Sequence, residues 1–68
     1  MKKIDFNSLS LDKLYNIVTY CLKDKVIEFL YDSDDILVGY LGKHDVVFFD
    51  EVEKKILKCD KLQDILGE

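Results

Sequence analysis

Arginine, alanine, proline and tryptophan are absent from this chain, glycine occurs three times, cysteine twice and histidine once. The missing arginine carries the clearest consequence. Bidentate recognition of phosphate or guanine is the work of the guanidinium fork. All 10 basic residues are lysines, against 14 acidic ones, for a net charge of −4. A chain of that sign repels the phosphate backbone, so no nucleic-acid partner is expected. The three glycines form no phosphate-cradling pattern. One histidine, two distant cysteines and scattered carboxylates do not make the three or four ligands a metal centre needs, so neither metal nor cofactor is expected. The absence of alanine, arginine, proline and tryptophan fits an AT-rich coding sequence, and a small gene of that kind suits a phage or mobile element.

Long apolar runs are also missing. Asp5 and Asn7 interrupt the sequence directly after Lys2 and Lys3, which leaves no secretory signal and no membrane-spanning helix, and so no membrane partner. The expected compartment is the cytoplasm. Cys21 and Cys59 have no CxxC spacing and both fall on apolar faces, so they read as reduced, buried thiols.

What remains is one domain, residues 1–68, of which 49% is hydrophobic and 35% charged. That balance supports a folded chain rather than a disordered tail. The chain is organised around residues 26–49. Three apolar runs, Val26–Tyr31, Ile36–Leu41 and Val46–Phe49, are separated by two polar tetrads, Asp32–Asp35 and Gly42–Asp45. Runs rich in β-branched and aromatic residues with polar punctuation predict an antiparallel meander. The runs alternate poorly. Ile27, Phe29 and Tyr31 fall on one face and Val26 and Leu30 on the other, and a sheet apolar on both faces needs cover on both. The helices are too few to supply it, which leaves a homodimer or a partner protein to do so.

An N-terminal helix is expected over Leu9–Lys23. Ser8 or Ser10 caps it, Asp12 complements the dipole in its first turn, and Leu11, Leu14, Val18, Cys21 and Leu22 form its apolar stripe. Ile4 and Phe6, in the lead before it, pack on the core or add a short edge strand. The segment from Asp50 has two readings. In one, Asp50 caps a single long helix, Glu53 completes a capping box, and Val52, Ile56, Cys59, Leu62 and Leu66 share a face. In the other, Glu51–Lys55 is a turn, Ile56–Cys59 a fourth strand, and Asp60 caps a short helix. Both place helix at Lys61–Leu66. The predicted class is α+β: an N-terminal helix, an antiparallel meander of three or four strands, and a C-terminal helix.

Few constellations carry chemistry. Asp32-Ser33-Asp34-Asp35 resembles the start of a calcium loop, but Leu37 stands where such a loop needs glycine and Lys43 where it needs glutamate. It reads as a hairpin turn whose side chains bond their own backbone. His44 beside Asp45 could form a base with its orienting carboxylate, which makes a small ligand-binding domain centred on them, together with Cys59, one alternative. Gly39, inside a strand, marks a bend or a close approach. The acids cluster at Asp32, Asp34 and Asp35, and at Asp45, Asp50 and Glu51. With Tyr31 and Tyr40 as aromatic anchors, they would form a surface for a protein with a basic face. The expected function is therefore a non-enzymatic interaction module that binds and modulates or inhibits another protein. An obligate homo-oligomer with no separate target is the alternative of a different class.

Overall fold

The structure, a computed structural model, describes residues 4–67. A 3-10 turn (Phe6–Ser8) precedes helix α1 (Leu11–Asn16), which continues as a π-helical turn (Ile17–Cys21). Strands β1 (Glu28–Tyr31), β2 (Leu37–Leu41) and β3 (Val46–Phe48) follow, then helices α2 (Phe49–Leu57) and α3 (Leu62–Leu66). The class is α+β as expected, and among the described residues the meander has three strands in the order β1-β2-β3, both pairs antiparallel.

Helix α1 starts where a hydroxyl can satisfy an orphan donor. Ser10 Oγ accepts from the Lys13 N–H at 3.3 Å, and Asp12 lies in the first turn. Leu14, Ile17, Val18 and Cys21 are buried, whereas Leu11, expected in the same stripe, is exposed because it starts the helix before it reaches the core. The helix widens from Ile17, with the Leu22 N–H reaching the Ile17 carbonyl five residues back at 3.3 Å. It ends at Cys21, two residues short of the expected Lys23, which instead follows the Leu22 C-cap with a left-handed φ of 55°, and the Asp24 N–H closes on the Val18 carbonyl at 3.2 Å. The lead segment forms no strand among the described residues. The Phe6 ring stacks on Phe49 at 4.4 Å instead, and the Ile4 N–H donates to Glu53 Oε2 at 3.0 Å. Glu53 is thus used across the fold and not in a capping box with Asp50.

In the sheet, Phe29, Tyr40 and Val47 stand opposite one another across the three strands and point to the core. A register shift between Leu30 and Tyr31 skips Val38, which rotates Leu37 onto the core side opposite Tyr31. The Asn7 side chain clamps this irregularity, accepting from the Leu37 N–H at 2.9 Å and donating to the Leu37 carbonyl at 3.3 Å. Gly39 lies beside the bulge. A Cβ there would run into the Val47 carbonyl oxygen, so the glycine is explained by close backbone approach within the sheet.

The C-terminal segment follows neither reading in full. Residues 49–57 are helical, so there is no fourth strand among the described residues, and Ile56 is a fully buried helix residue. The long helix is broken over residues 58–61, with the Cys59 N–H bonded to the Ile56 carbonyl at 3.0 Å. Phe48, not Asp50, occupies the N-cap of α2, and it supplies no side-chain hydrogen bond. Phe49, expected to end the third strand, begins the helix and is buried against Phe6 and Tyr40.

The largest correction concerns the cysteines. Cys21, at the end of the π turn, and Cys59, in the break after α2, are joined as a disulfide with their Cα atoms 5.5 Å apart. Two elements 38 residues apart in sequence are thereby tied together. Nothing in the local pattern around either residue signals the pairing. It arises because α1 and α2 both end over the same part of the core.

Candidate functional site

The sheet has helices on one face only. Its other face follows from the register. Leu30, Gly39 and Phe48 form one row across the three strands, and Glu28, Leu41 and Val46 form the next. None of these side chains belongs to the core or packs against it. Val46 and Phe48 keep 49% and 45% of their surface exposed, and Leu30 and Leu41 are partly exposed. Glu28 is the only charged side chain in the two rows, and it sits on the edge strand. Gly39 supplies no side chain between Leu30 and Phe48, and it is itself buried, with the Val47 carbonyl oxygen where a Cβ would stand. The expectation that the helices cannot cover both faces therefore holds.

The predicted acidic residues fall at two ends of this face. A meander alternates direction, so the β1–β2 turn and the start of α2 share one end, and the β2–β3 turn lies at the other. Tyr31, Asp32, Asp34 and Asp35 are exposed at the first end, and Asp50 and Glu51 lie there in the first turn of α2. A crevice of about 240 Å³ lined by Ile36, Val38, Phe49 and Asp50 links the two segments. Asp45 belongs to the opposite end and does not join them. Several of these acids also have a local role. Asp32 Oδ1 accepts from the Asp34 N–H at 2.8 Å and the Ile36 N–H at 3.1 Å, which fixes the turn as expected for Asx chemistry. Asp35 holds a left-handed φ of 61°. Asp50 and Glu51 complement the dipole of α2.

Tyr40 is removed from the candidate surface. It is 1% exposed and lies in the core, tilted against Phe49 at 5.8 Å between ring centroids. Its β2 position pairs it with Phe29 and Val47 on the covered face, which is why an aromatic that reads as exposed is buried. The Tyr40 hydroxyl donates to Asp24 Oδ2 at 3.0 Å. Asp24 Oδ1 accepts the Lys25 N–H at 2.7 Å and the Lys43 N–H at 3.1 Å. The Asp24 carboxylate thus pins the end of the N-terminal helical segment to the β2–β3 turn, and a Cβ at Gly42 would collide with it. These backbone N–H bonds, led by that of Lys25, hold its pKa below the ordinary carboxylate value. Burial, and next the bond to Asp24, push the Tyr40 hydroxyl above the usual phenol range. Sequence reasoning missed Asp24. The signal available was an acid flanked by Lys23 and Lys25 at the end of a predicted helix.

The linkage gives a test. A carboxyl whose folded pKa lies below its unfolded value, about 3.9, stabilises the fold above that value. The contribution fades as pH falls through the lower folded pKa. Asp24→Asn is therefore expected to lower the melting temperature at pH 7, and the gap to the wild-type chain is expected to close between about pH 4 and the acid limit. Melting curves followed by circular dichroism at pH 7, 4 and 3 measure it. A gap unchanged with pH would show that the charge on Asp24 is not what holds the turn.

His44 is exposed in the β2–β3 turn, and Cys59 is bonded to Cys21, so the sulfur cannot serve as a nucleophile beside His44 in this form of the protein. Among the described residues no group of three or more histidine, cysteine or acidic side chains is placed to hold a metal ion. No described helix is long and apolar enough to cross a membrane. A second concavity, about 400 Å³, lies between the N-terminal helical segment and α3, lined by Asn16, Tyr20, Lys61, Asp64 and Ile65. Its polar side chains are all exposed, so nothing buried converges on a ligand there. No family model, curated protein or solved structure matches this chain.

Proposed function

We propose that this chain is a non-enzymatic protein-interaction module that docks through the open face of its sheet and modulates or inhibits the protein it covers. One observation carries the reading: Leu30, Leu41, Val46 and Phe48 form a contiguous apolar surface that the chain's own helices leave open. The carboxylates of Asp32, Asp34, Asp35, Asp50 and Glu51, with Tyr31 beside them, lie at one end of that surface. Charge at the margin of an interface chiefly steers encounter and selects partners, while the apolar centre holds the complex together. The partner is accordingly a protein with an apolar patch and basic residues beyond one edge of it. The disulfide favours a compartment that keeps thiols oxidised over the reducing cytoplasm.

The test uses two variants that leave the core intact. Phe48→Asp places a carboxylate on the open face and, at the N-cap of α2, also supplies the cap that position lacks. Asp34→Lys with Asp35→Lys reverses charge at the acidic end only. The expected result is that a protein retained by the immobilised wild-type chain is lost from the Phe48→Asp bait at every salt concentration. The double lysine variant is expected to bind it at least tenfold more slowly in low salt, with the difference shrinking in high salt. Equal retention by wild-type and Phe48→Asp baits would sink the reading.

A further inference from the structure

We propose that the Cys21–Cys59 disulfide is a redox latch: its reduction by a dithiol releases residues 58–67 from the N-terminal helical segment, while the sheet and α2 stay folded. The latch is independent of what the open face of the sheet binds.

The bond sits where the C-terminal segment is fastened. Cys21 ends the π turn, Cys59 lies in the break between α2 and α3, and α3 packs on α1 and the π turn. The disulfide therefore pins the start of this segment to the surface that α3 rests on. At the other end, Lys13 Nζ donates to the Leu66 carbonyl at 3.3 Å. Between the two points, Leu62 and Ile65 are the buried side chains of α3. The seam is not closed along its length. The concavity of about 400 Å³ opens there, with Asn16 and Tyr20 on one side and Lys61, Asp64 and Ile65 on the other.

Without the bond, α3 has little to hold it. It is five residues long and no side chain caps its N-terminus. Helices shorter than about 12 residues are marginal unless tertiary packing supports them. Helix α2 differs, because it sets Phe49 and Ile56 in the core and packs on β2 and β3. The core around the sheet is built from Phe6, Tyr40 and Phe49, and the β2–β3 turn is held by Asp24. None of these residues belongs to the C-terminal segment. An element with few buried contacts, beside a body with its own core, opens before that body does.

Cys59 is the sulfur a reductant reaches. It is partly exposed, and its neighbours Lys58 and Asp60 are exposed, whereas Cys21 is buried. A thiolate of the dithiol attacks Cys59 Sγ, the S–S bond breaks, and its electron pair leaves on Cys21 Sγ, which takes up a proton. The second thiol, losing its proton, attacks the reductant's own sulfur in the mixed disulfide. The reductant closes its disulfide, and Cys59 leaves as a thiolate and is protonated. Two electrons and two protons pass from the dithiol to the protein. Release then uncovers Leu62, Ile65 and the part of α1 and the π turn beneath them. The latch is closed where thiols are kept oxidised and opens where dithiol reductants are present.

The experiment is amide hydrogen exchange by NMR on the full chain, oxidised and then reduced with dithiothreitol. The Leu62, Ile65 and Gly67 N–H groups, bonded to the Cys59, Lys61 and Gln63 carbonyls, report on the segment. The amides of the β1–β2 pair report on the body. In the oxidised chain the three segment amides are expected to be protected at least about tenfold. In the reduced chain they are expected to exchange at nearly the rate of an unstructured peptide, with the strand amides at least about a hundredfold slower. Reoxidation is expected to restore the first pattern. The Cys21→Ala, Cys59→Ala double variant is expected to show the reduced pattern without reductant and to ignore its addition. Segment amides that keep their protection on reduction overturn the latch. So does equal loss of protection in segment and strands, or unfolding of the whole reduced chain, since either makes the bond a global staple. A double variant that keeps the segment protected overturns it as well.

Discussion

Reducing the Cys21–Cys59 bond is expected to lower stability by about 4 kcal/mol, from the chain entropy that closing a loop of this length removes from the unfolded state. The bond encloses a sequence separation of 38 residues and joins the end of the N-terminal helical segment to the break between α2 and α3. A single core in a chain of this size rarely supplies more than about 3–5 kcal/mol, so the cross-link and the core are of similar weight. The reduced chain should therefore stay folded in buffer but with a denaturation midpoint near half that of the oxidised chain. Urea titrations with and without reductant measure this, and a Cys21→Ala, Cys59→Ala double variant should match the reduced protein. Identical midpoints in the oxidised, reduced and double-variant chains would show that the cross-link contributes nothing. The magnitude matters for function, since a chain stapled in this way persists where thiols are oxidised and becomes labile where they are not.

Phe49→Ala is expected to cost about 3–5 kcal/mol, as large aromatic truncations in a core do, which is enough to leave the reduced chain largely unfolded. Phe49 is 2% exposed, stacked on Phe6 with an interplanar angle of 13° and tilted against Tyr40. It thereby ties the lead segment, the sheet and α2 into one core. Its neighbour Phe48 provides the internal control. Phe48→Ala removes the same atoms from the open side of the sheet, where Phe48 keeps 45% of its surface exposed, and should cost about 1–2 kcal/mol, clearly less than Phe49→Ala. Urea denaturation of the two oxidised variants compares them directly. Similar losses from both would show that Phe48 is as fully buried in solution as Phe49.

Adjacent phenylalanines with opposite fates show where reading from the residues stops. Val46–Phe49 reads as one apolar run, and composition gives no reason to end the strand after Phe48. The chain turns into α2 there because Phe49 can reach the pocket between Phe6 and Tyr40 only from a helix running back over the sheet. Val26, Ile27 and Tyr31 make the same point: alternation puts Ile27 and Tyr31 with Phe29 and Val26 on the other face, yet Val26 is buried in the core while Ile27 and Tyr31 are exposed, because the strand begins only at Glu28 and its register shifts at Tyr31.

Local sequence determined the elements that depend on local physics. Ser10 and Asp12 start α1, Asp32 closes the β1–β2 turn on its own backbone, and the polar tetrads cut the apolar stretch into three strands. The excess of apolar residues over available helix also foretold an uncovered face, because that is a matter of supply and needs no coordinates. Tertiary structure alone decided the pairing of Cys21 with Cys59, the bonds of Asp24 to Tyr40 and Lys43, the burial of Tyr40, and the separation of Asp45 from Asp32, Asp34, Asp35, Asp50 and Glu51. Each depends on the distance between segments far apart in sequence. Residue spacing fixes which neighbours share a face, but only the packing of helices on the sheet fixes which faces meet.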